Sequence, residues 1–423
     1  MIEKIYKAFL ESSGVCTDTR NIGASCFFIC LKGDHFNGND FALNALKQGA
    51  KFILVDEDRN WDSNQILIVD NCLETLQALA IYHRNTLSIP VIGLTGSNGK
   101  TTTKELFREV LSSTKKVKAT IGNLNNHIGV PLSILSINKS DEIAIIEMGA
   151  NAQKEIEFLS GISKPDIGYI TNFGLAHLEG FGGPEGVIKG KSELYEYLLL
   201  DSKIALVNSD DPIQIDKSSG LTRILFGTSE KPPFQFSLAD AKNTVSIRWN
   251  DTLVETQLTG AYNFNNIAAA VSLGVYFNIP PNEIIRAISN YAPSNHRSQW
   301  KQGLYNSLIV DCYNANPSSV ELALDNLAVQ TKPRAAILGD MFEMGEYAQV
   351  EHQKIIDHAI ALGIEKLIFV GSHFLDCNFP PAITCIQTTQ QAYDFLRNNP
   401  LKEHTILIKG SRGMTLEKLL ELL

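Results

Sequence analysis

No run of about 18 to 20 apolar residues, the length that crosses a bilayer as a helix, occurs in this sequence. A membrane-inserted protein is therefore not expected. The opening stretch MIEKIYKAFLESSG carries acidic residues where an export signal would have a basic end and an apolar centre, so an unexported, cytoplasmic protein is expected. The 7 cysteines include no CxxC pair and no metal-type cluster, which argues against a disulfide framework and a zinc site. Cys26 and Cys30 read instead as small core residues on one face of a strand. The net charge of −9 is spread along the chain without a Lys/Arg block, so nucleic acid is not an expected partner. Fixed-period repeats and low-complexity tracts are also missing.

What is present is enough apolar material for several cores: 44% hydrophobic residues in a chain of 423, which implies two or three domains. Short apolar runs at Cys26 to Leu31, Lys51 to Val55 and Gln65 to Val69 alternate with helical patterns at Asp40 to Gln48 and Leu73 to His83. After Ser88-Ile89-Pro90 a second series begins, with buried-type strands at Val91 to Thr95, Glu142 to Glu147, Ile167 to Thr171 and Ile204 to Asn208. A third follows Tyr291-Ala292-Pro293-Ser294, at Leu308 to Asp311, Ala335 to Leu338, Lys366 to Val370 and His404 to Ile408. Strands of this kind, each followed by Gly, Asn or Asp, predict parallel sheets with ligand loops at their carboxyl ends. The expected fold is α/β in three consecutive domains, 1–87, 88–296 and 297–423.

The sharpest chemical signal is Gly93-Leu94-Thr95-Gly96-Ser97-Asn98-Gly99-Lys100-Thr101, which follows a predicted strand and leads into a helical run from Thr102 to Ser112. Glycines let backbone N–H groups converge on phosphate oxygens, and a helix N-terminus adds partial positive charge. Gly96, Ser97, Asn98, Gly99, Lys100, Thr101 and Thr102 are thus nucleotide-binding candidates, with Lys100 reaching the terminal phosphates and the Thr101 hydroxyl available to Mg²⁺. The usual first glycine would stand at position 94, where the chain has Leu94, so this is a variant of the common loop. Such loops serve kinases, ATPases and ligases alike, and other residues must name the reaction.

Those residues resemble the Mur ligases, which build the peptide stem of bacterial peptidoglycan. TGSNGKT stands as in that family, followed in order by Thr120-Ile121-Gly122-Asn123-Leu124-Asn125-Asn126, Glu147-Met148-Gly149-Ala150, and Thr171-Asn172 through Ala176-His177-Leu178-Glu179. The resemblance implies a central phosphate-loop sheet, a Rossmann-like C-terminal domain, and ATP and Mg²⁺ as cofactors. It implies metal roles for Thr101, Glu147 and His177, and a CO₂-derived carbamate on Lys191, with Lys189 as the rival lysine. Lys100, Lys191 and His177 would carry the catalysis. Asn263, Asn266, Arg297 and Asp311 match the family's nucleotide contacts, although His296 stands where a glycine commonly precedes that arginine.

Asp311-Cys312-Tyr313-Asn314-Ala315-Asn316-Pro317 resembles the segment of the family's D-alanyl-D-alanine-adding branch, as do Leu338 to Glu346 and Lys409 to Met414. The implied partners are UDP-N-acetylmuramoyl-tripeptide and D-alanyl-D-alanine, acting on a monomer. Asn123, Asn125, Asn126, Tyr313, Asn314, Asn316 and Arg412 are the implied substrate contacts. Thr19 and Arg20, in a segment like the family's UDP-binding module, join them. The competing enzyme readings are the branch that adds the third stem residue and folylpolyglutamate synthase. A nucleotide-binding regulatory protein is the reading outside enzymes.

Overall fold

The computed structural model describes residues 1–293 and 298–423. Three parallel-type sheets follow one another along the chain. In the first, the strand order is Val15–Cys16, Phe27–Ile29, Phe52–Val55, Ile66–Ile68. Phe27, Phe28 and Ile29 are all fully buried, because helices Ile2–Leu10 and Cys72–Thr86 belong to the same apolar core. Cys26 and Cys30, flanking that strand, are buried too, and burial pushes the Cys30 thiol up to about 12. Asn71 starts the Cys72–Thr86 helix by accepting the N–H groups of Leu73 and Glu74.

The central sheet has six parallel strands in the order Thr222–Phe226, Ile204–Asn208, Ile167–Ile170, Val91–Thr95, Ile143–Glu147, Val117–Ala119. Its three middle strands are buried along their whole length, which accounts for their near-continuous apolar sequence. Chain order reverses around Val91–Thr95, whose neighbours are Ile143–Glu147 and Ile167–Ile170. Ligands of open α/β sheets bind outside the carboxyl ends of the strands at such a reversal. Thr95, Glu147 and Thr171 stand there, each following an apolar strand body.

A three-stranded antiparallel sheet, Phe236–Asp240, Ser246–Trp249 and Thr252–Glu255, is added beyond the central sheet. Asn250 and Asp251 connect its last two strands with φ of +47° and +63°, as a tight two-residue hairpin requires. The third large sheet runs Gln299–Gln302, Ser307–Asp311, Thr405–Lys409, Arg334–Gly339, Lys366–Val370, Thr384–Ile386, parallel except for its first strand.

One apolar cluster runs from the first sheet through one face of the central sheet to residues of the third such as Ile309 and Leu407. Polar joints reinforce the first boundary. Arg84 is buried, donates to the carbonyls of Ser163, Lys164 and Leu87, and pairs with Asp166 at 2.8 Å. Among the described residues, no helix is long and apolar enough to cross a membrane.

Candidate active site

The loop between Thr95 and Lys100 is shaped by close approach. Gly96 has φ +136°, and a Cβ there would lie 2.0 Å from Thr171 Oγ1. Gly99, at φ +80°, backs onto the Asn266 amide, where a Cβ would come within 2.9 Å of Oδ1. Only glycine combines that backbone with that space. The loop is tied down from the neighbouring strand: Asn172 Oδ1 accepts the Asn98 N–H at 3.1 Å, while Thr171 Oγ1 and Asn172 Nδ2 donate to the Asn98 carbonyl at 2.6 and 3.0 Å. Helix Lys100–Ser112 begins directly after it, two residues earlier than the apolar periodicity predicts. Lys100 Nζ lies back on the loop, donating to the carbonyls of Gly96 at 2.6 Å and Ser97 at 3.2 Å.

Beside the loop is an acidic corner. Glu147 is 1% exposed, and its Oε1 accepts from Asn125 Nδ2 at 2.9 Å and from Thr101 Oγ1 at 3.3 Å. Among the described residues its Oε2 has no hydrogen-bond partner, and the hydroxyl of Ser97 is likewise buried without one. Lys104, one helical turn beyond Lys100 and 1% exposed, holds its ammonium 4.0 Å from Glu147 Oε2 and donates to the Thr120 carbonyl at 2.8 Å. A buried carboxylate with a vacant oxygen next to a threonine hydroxyl suits a hard cation that brings its own water and phosphate ligands.

These groups open into a cleft of about 510 Å³, lined by loop residues Ser97 to Thr102, by Asn123, Asn125 and Asn126, by Glu147 and His177, and across from them by Asp311, Tyr313, Asn314 and Asn316. Asn263 and Asn266 join it from the helix Asn263–Tyr276. The two amides are bonded at 2.8 Å, and Asn266 Oδ1 also accepts from Thr103. Asp311 ends its strand and pairs with the buried Lys409 at 2.6 Å.

His177 Nδ1 bonds the Glu343 carboxylate, which reaches over from the third sheet and is held below its ordinary pKa chiefly by that bond. Both residues have left-handed backbone, φ +54° and +62°, an arrangement that costs on the order of 1 kcal/mol each and recurs at functional sites. Lys191 is fully buried; its Nζ donates to the Ala150 carbonyl at 3.1 Å and lies 4.8 Å from the centre of the Phe181 ring. Burial, and then the charge of Lys100, hold its pKa well below the lysine value. Lys189, by contrast, is exposed.

Matches to known proteins run the length of the chain. Residues 11–93 match the Mur ligase family catalytic domain, 94–274 the Mur ligase middle domain, and 296–412 the Mur ligase glutamate ligase domain. The chain belongs to the Mur ligase family. A UDP-N-acetylmuramoyl-tripeptide--D-alanyl-D-alanine ligase of Bacillus subtilis is 32% identical, over 96% of this chain and 92% of that protein. A crystal structure of MurF from Acinetobacter baumannii superposes with a TM-score of 0.86 at 26% identity, covering 99% of this chain and 97% of that one. The MurF ligase of Thermotoga maritima, solved in complex with ADP, gives 0.85 at 25% identity, covering 98% and 97%.

Within this Mur ligase, not every expected site residue reaches the cleft. Thr19 and Arg20 do not line it, and Arg20, 86% exposed at its side chain, is paired with Asp18. Arg412 stands at the rim, 5.7 Å from the centre of the Tyr313 ring. Arg297 lies outside the described residues. The Asn316 amide is engaged by protein groups at both ends, as the N-cap of the helix Pro317–Ala328 and through a bond to Asn98. Sequence reasoning missed Lys104, Asn172, Glu343 and Lys409. Lys104 had a signal, since it falls one turn after Lys100 on the same helix face. Glu343 and Lys409 lie within blocks that carry the resemblance, but their partners are far away in sequence.

Proposed function

We propose that this chain ligates D-alanyl-D-alanine to UDP-N-acetylmuramoyl-tripeptide with conversion of ATP to ADP and phosphate. The observation that carries the reading is the meeting of the phosphate loop and the Glu147 corner with Tyr313, Asn314 and Asn316 of the D-alanyl-D-alanine-type segment across one cleft. The tripeptide's terminal carboxylate attacks the γ-phosphorus, its oxygen forming the new P–O bond as ADP leaves. The dipeptide amine then adds to the acyl phosphate carbon, loses a proton and expels phosphate. Activation is needed because oxide is too poor a leaving group for direct amide formation.

Lys100 leaves the carbonyls of Gly96 and Ser97 to meet the phosphates, and the loop N–H groups hold their oxygens. Mg²⁺ fits at Thr101 and Glu147, where it would offset the charge gathered on the transferred phosphoryl group. Asp311 suits the ribose hydroxyls as an acceptor, and Asn263 and Asn266 flank the nucleotide. Residues 1–87 form the UDP-side domain, 88–296 the ATP-side domain and 297–423 the dipeptide-side domain. Cytoplasmic location follows from the chemistry of the substrates.

Lys191 is the carbamate site in this reading. Burial favours the uncharged form of its amine, and in that form the nitrogen can attack CO₂, forming an N–C bond and releasing one proton, whereas Lys189 is exposed. Protein equilibrated with ¹³C-bicarbonate should show a carbamate carbon resonance that is lost in Lys191→Met and kept in Lys189→Met; the reverse pattern would transfer the role to Lys189. For the reaction itself, ADP formation should require both the tripeptide nucleotide and D-alanyl-D-alanine. ADP release with an acceptor dipeptide and a single diamino acid would instead assign the third-residue branch, and release without any acceptor a regulatory ATPase.

A further inference from the structure

The third sheet's segment reaches into the phosphate loop itself. Asn316 Nδ2 donates to Asn98 Oδ1 at 2.7 Å, between residues 218 positions apart. Two residues on, Ser318 Oγ accepts the N–H of Leu175 at 2.7 Å, from the strand end whose Thr171 and Asn172 hold Asn98 in place. Gly174 sits inside this junction: a Cβ there would lie 2.8 Å from the Asn98 amide nitrogen and 3.1 Å from Ser318 Oγ. The other half of the Asn316 amide accepts the Ser319 N–H at 3.0 Å as part of a capping box. The side chain is thus fixed from its own helix and presents a donor to the loop.

We infer that Asn316 is a positioning residue that couples docking of the third domain to the geometry of the phosphate loop, rather than a substrate contact. This rests on the ligase reading above. Asn98 lies between Gly96, whose carbonyl holds Lys100, and Gly99, where the phosphate-binding helix begins. A bond at its side chain therefore bears on where the loop N–H groups point, and only when the third domain is seated. ATP is then held in its reactive position only in the closed arrangement, which limits phosphoryl transfer to water while the cleft is open.

Asn316→Ser tests this, because serine caps a helix about as well as asparagine but is too short to reach Asn98. The wild-type chain is assayed first; if it forms no ligated product from the three substrates, the ligase reading has failed and the coupling is left to the scattering arm below. With activity present, Asn316→Ser should lower kcat about ten-fold, the loss expected for one well-aligned hydrogen bond, with little change in the KM for D-alanyl-D-alanine. In an Asn98→Ser background the same substitution should cost nothing further, since the bond is already gone. Small-angle scattering with a non-hydrolysable ATP analogue and the tripeptide nucleotide should show the variant less compact than the wild type, whether or not ligation occurs. Independent losses in the two backgrounds, a raised KM for the dipeptide at unchanged kcat, or equal compaction would each overturn the inference.

Discussion

Gly96 shows how narrowly a single residue is set. Alanine there must take φ +136° and place a methyl carbon 2.0 Å from Thr171 Oγ1, so either the loop or the Ile167–Ile170 strand end must move. Gly96→Ala should destabilise the fold by about 2 kcal/mol or more in urea unfolding and abolish ATP binding in calorimetry. His83 offers a pH-dependent case. Its Nε2 lies 2.9 Å from the Ile137 carbonyl, which can only accept, so that nitrogen carries the proton and Nδ1 accepts from the Tyr6 hydroxyl at 3.1 Å. Burial lowers its pKa from the ordinary 6.5, and the unfolded chain therefore binds the extra proton first. The wild type loses stability as pH falls from 6.5 toward the folded value, and no further below it. Urea unfolding across that range should show His83→Gln with a flatter acid limb, its stability deficit shrinking as the solution is acidified; parallel limbs would contradict the assignment.

At the scale of elements, the long buried strands were legible because burial on both faces demands apolar residues throughout, and the predicted runs at Val91, Ile204, Lys366 and their neighbours all appear as strands. The short edge strands Val117–Ala119 and Thr384–Ile386 are only half-buried and leave no such run. The antiparallel sheet from Phe236 to Glu255 did leave a signal, an alternating pattern around Asn250-Asp251, but one with period two that a search for apolar runs passes over. Helix ends follow local chemistry. Thr388 and Gln391 form a capping box for Thr389–Asn398, none of which lines the cleft. Thr388→Ala should reduce stability by about 1 kcal/mol and leave turnover unchanged, which separates loss of a cap from loss of the Asn316 bond.

At the scale of the molecule, the phosphate loop could be read from a contiguous motif, whereas the groups facing it could not. Asp311 and Lys409 meet through strand pairing within the third sheet, whereas His177 and Glu343, and Asn98 and Asn316, are joined by the folding of the central sheet against the third. The sequence offered Asp311 and His177 without their partners, and it offered Asn98 and Asn316 without the bond between them. The same assembly explains why the chemistry needs several domains: an acyl phosphate survives only if the amine reaches it before water does, and that requires a cleft that closes around three substrates.

The most direct measurement is mass spectrometry of the products formed from ATP, D-alanyl-D-alanine and tripeptide nucleotide carrying ¹⁸O in its terminal carboxylate. The account predicts a nucleotide product heavier by one dipeptide less one water, after allowing for the ¹⁸O that leaves, and that ¹⁸O in the released phosphate. An unlabelled phosphate, or a tripeptide nucleotide recovered without the dipeptide while ATP is consumed, would contradict it.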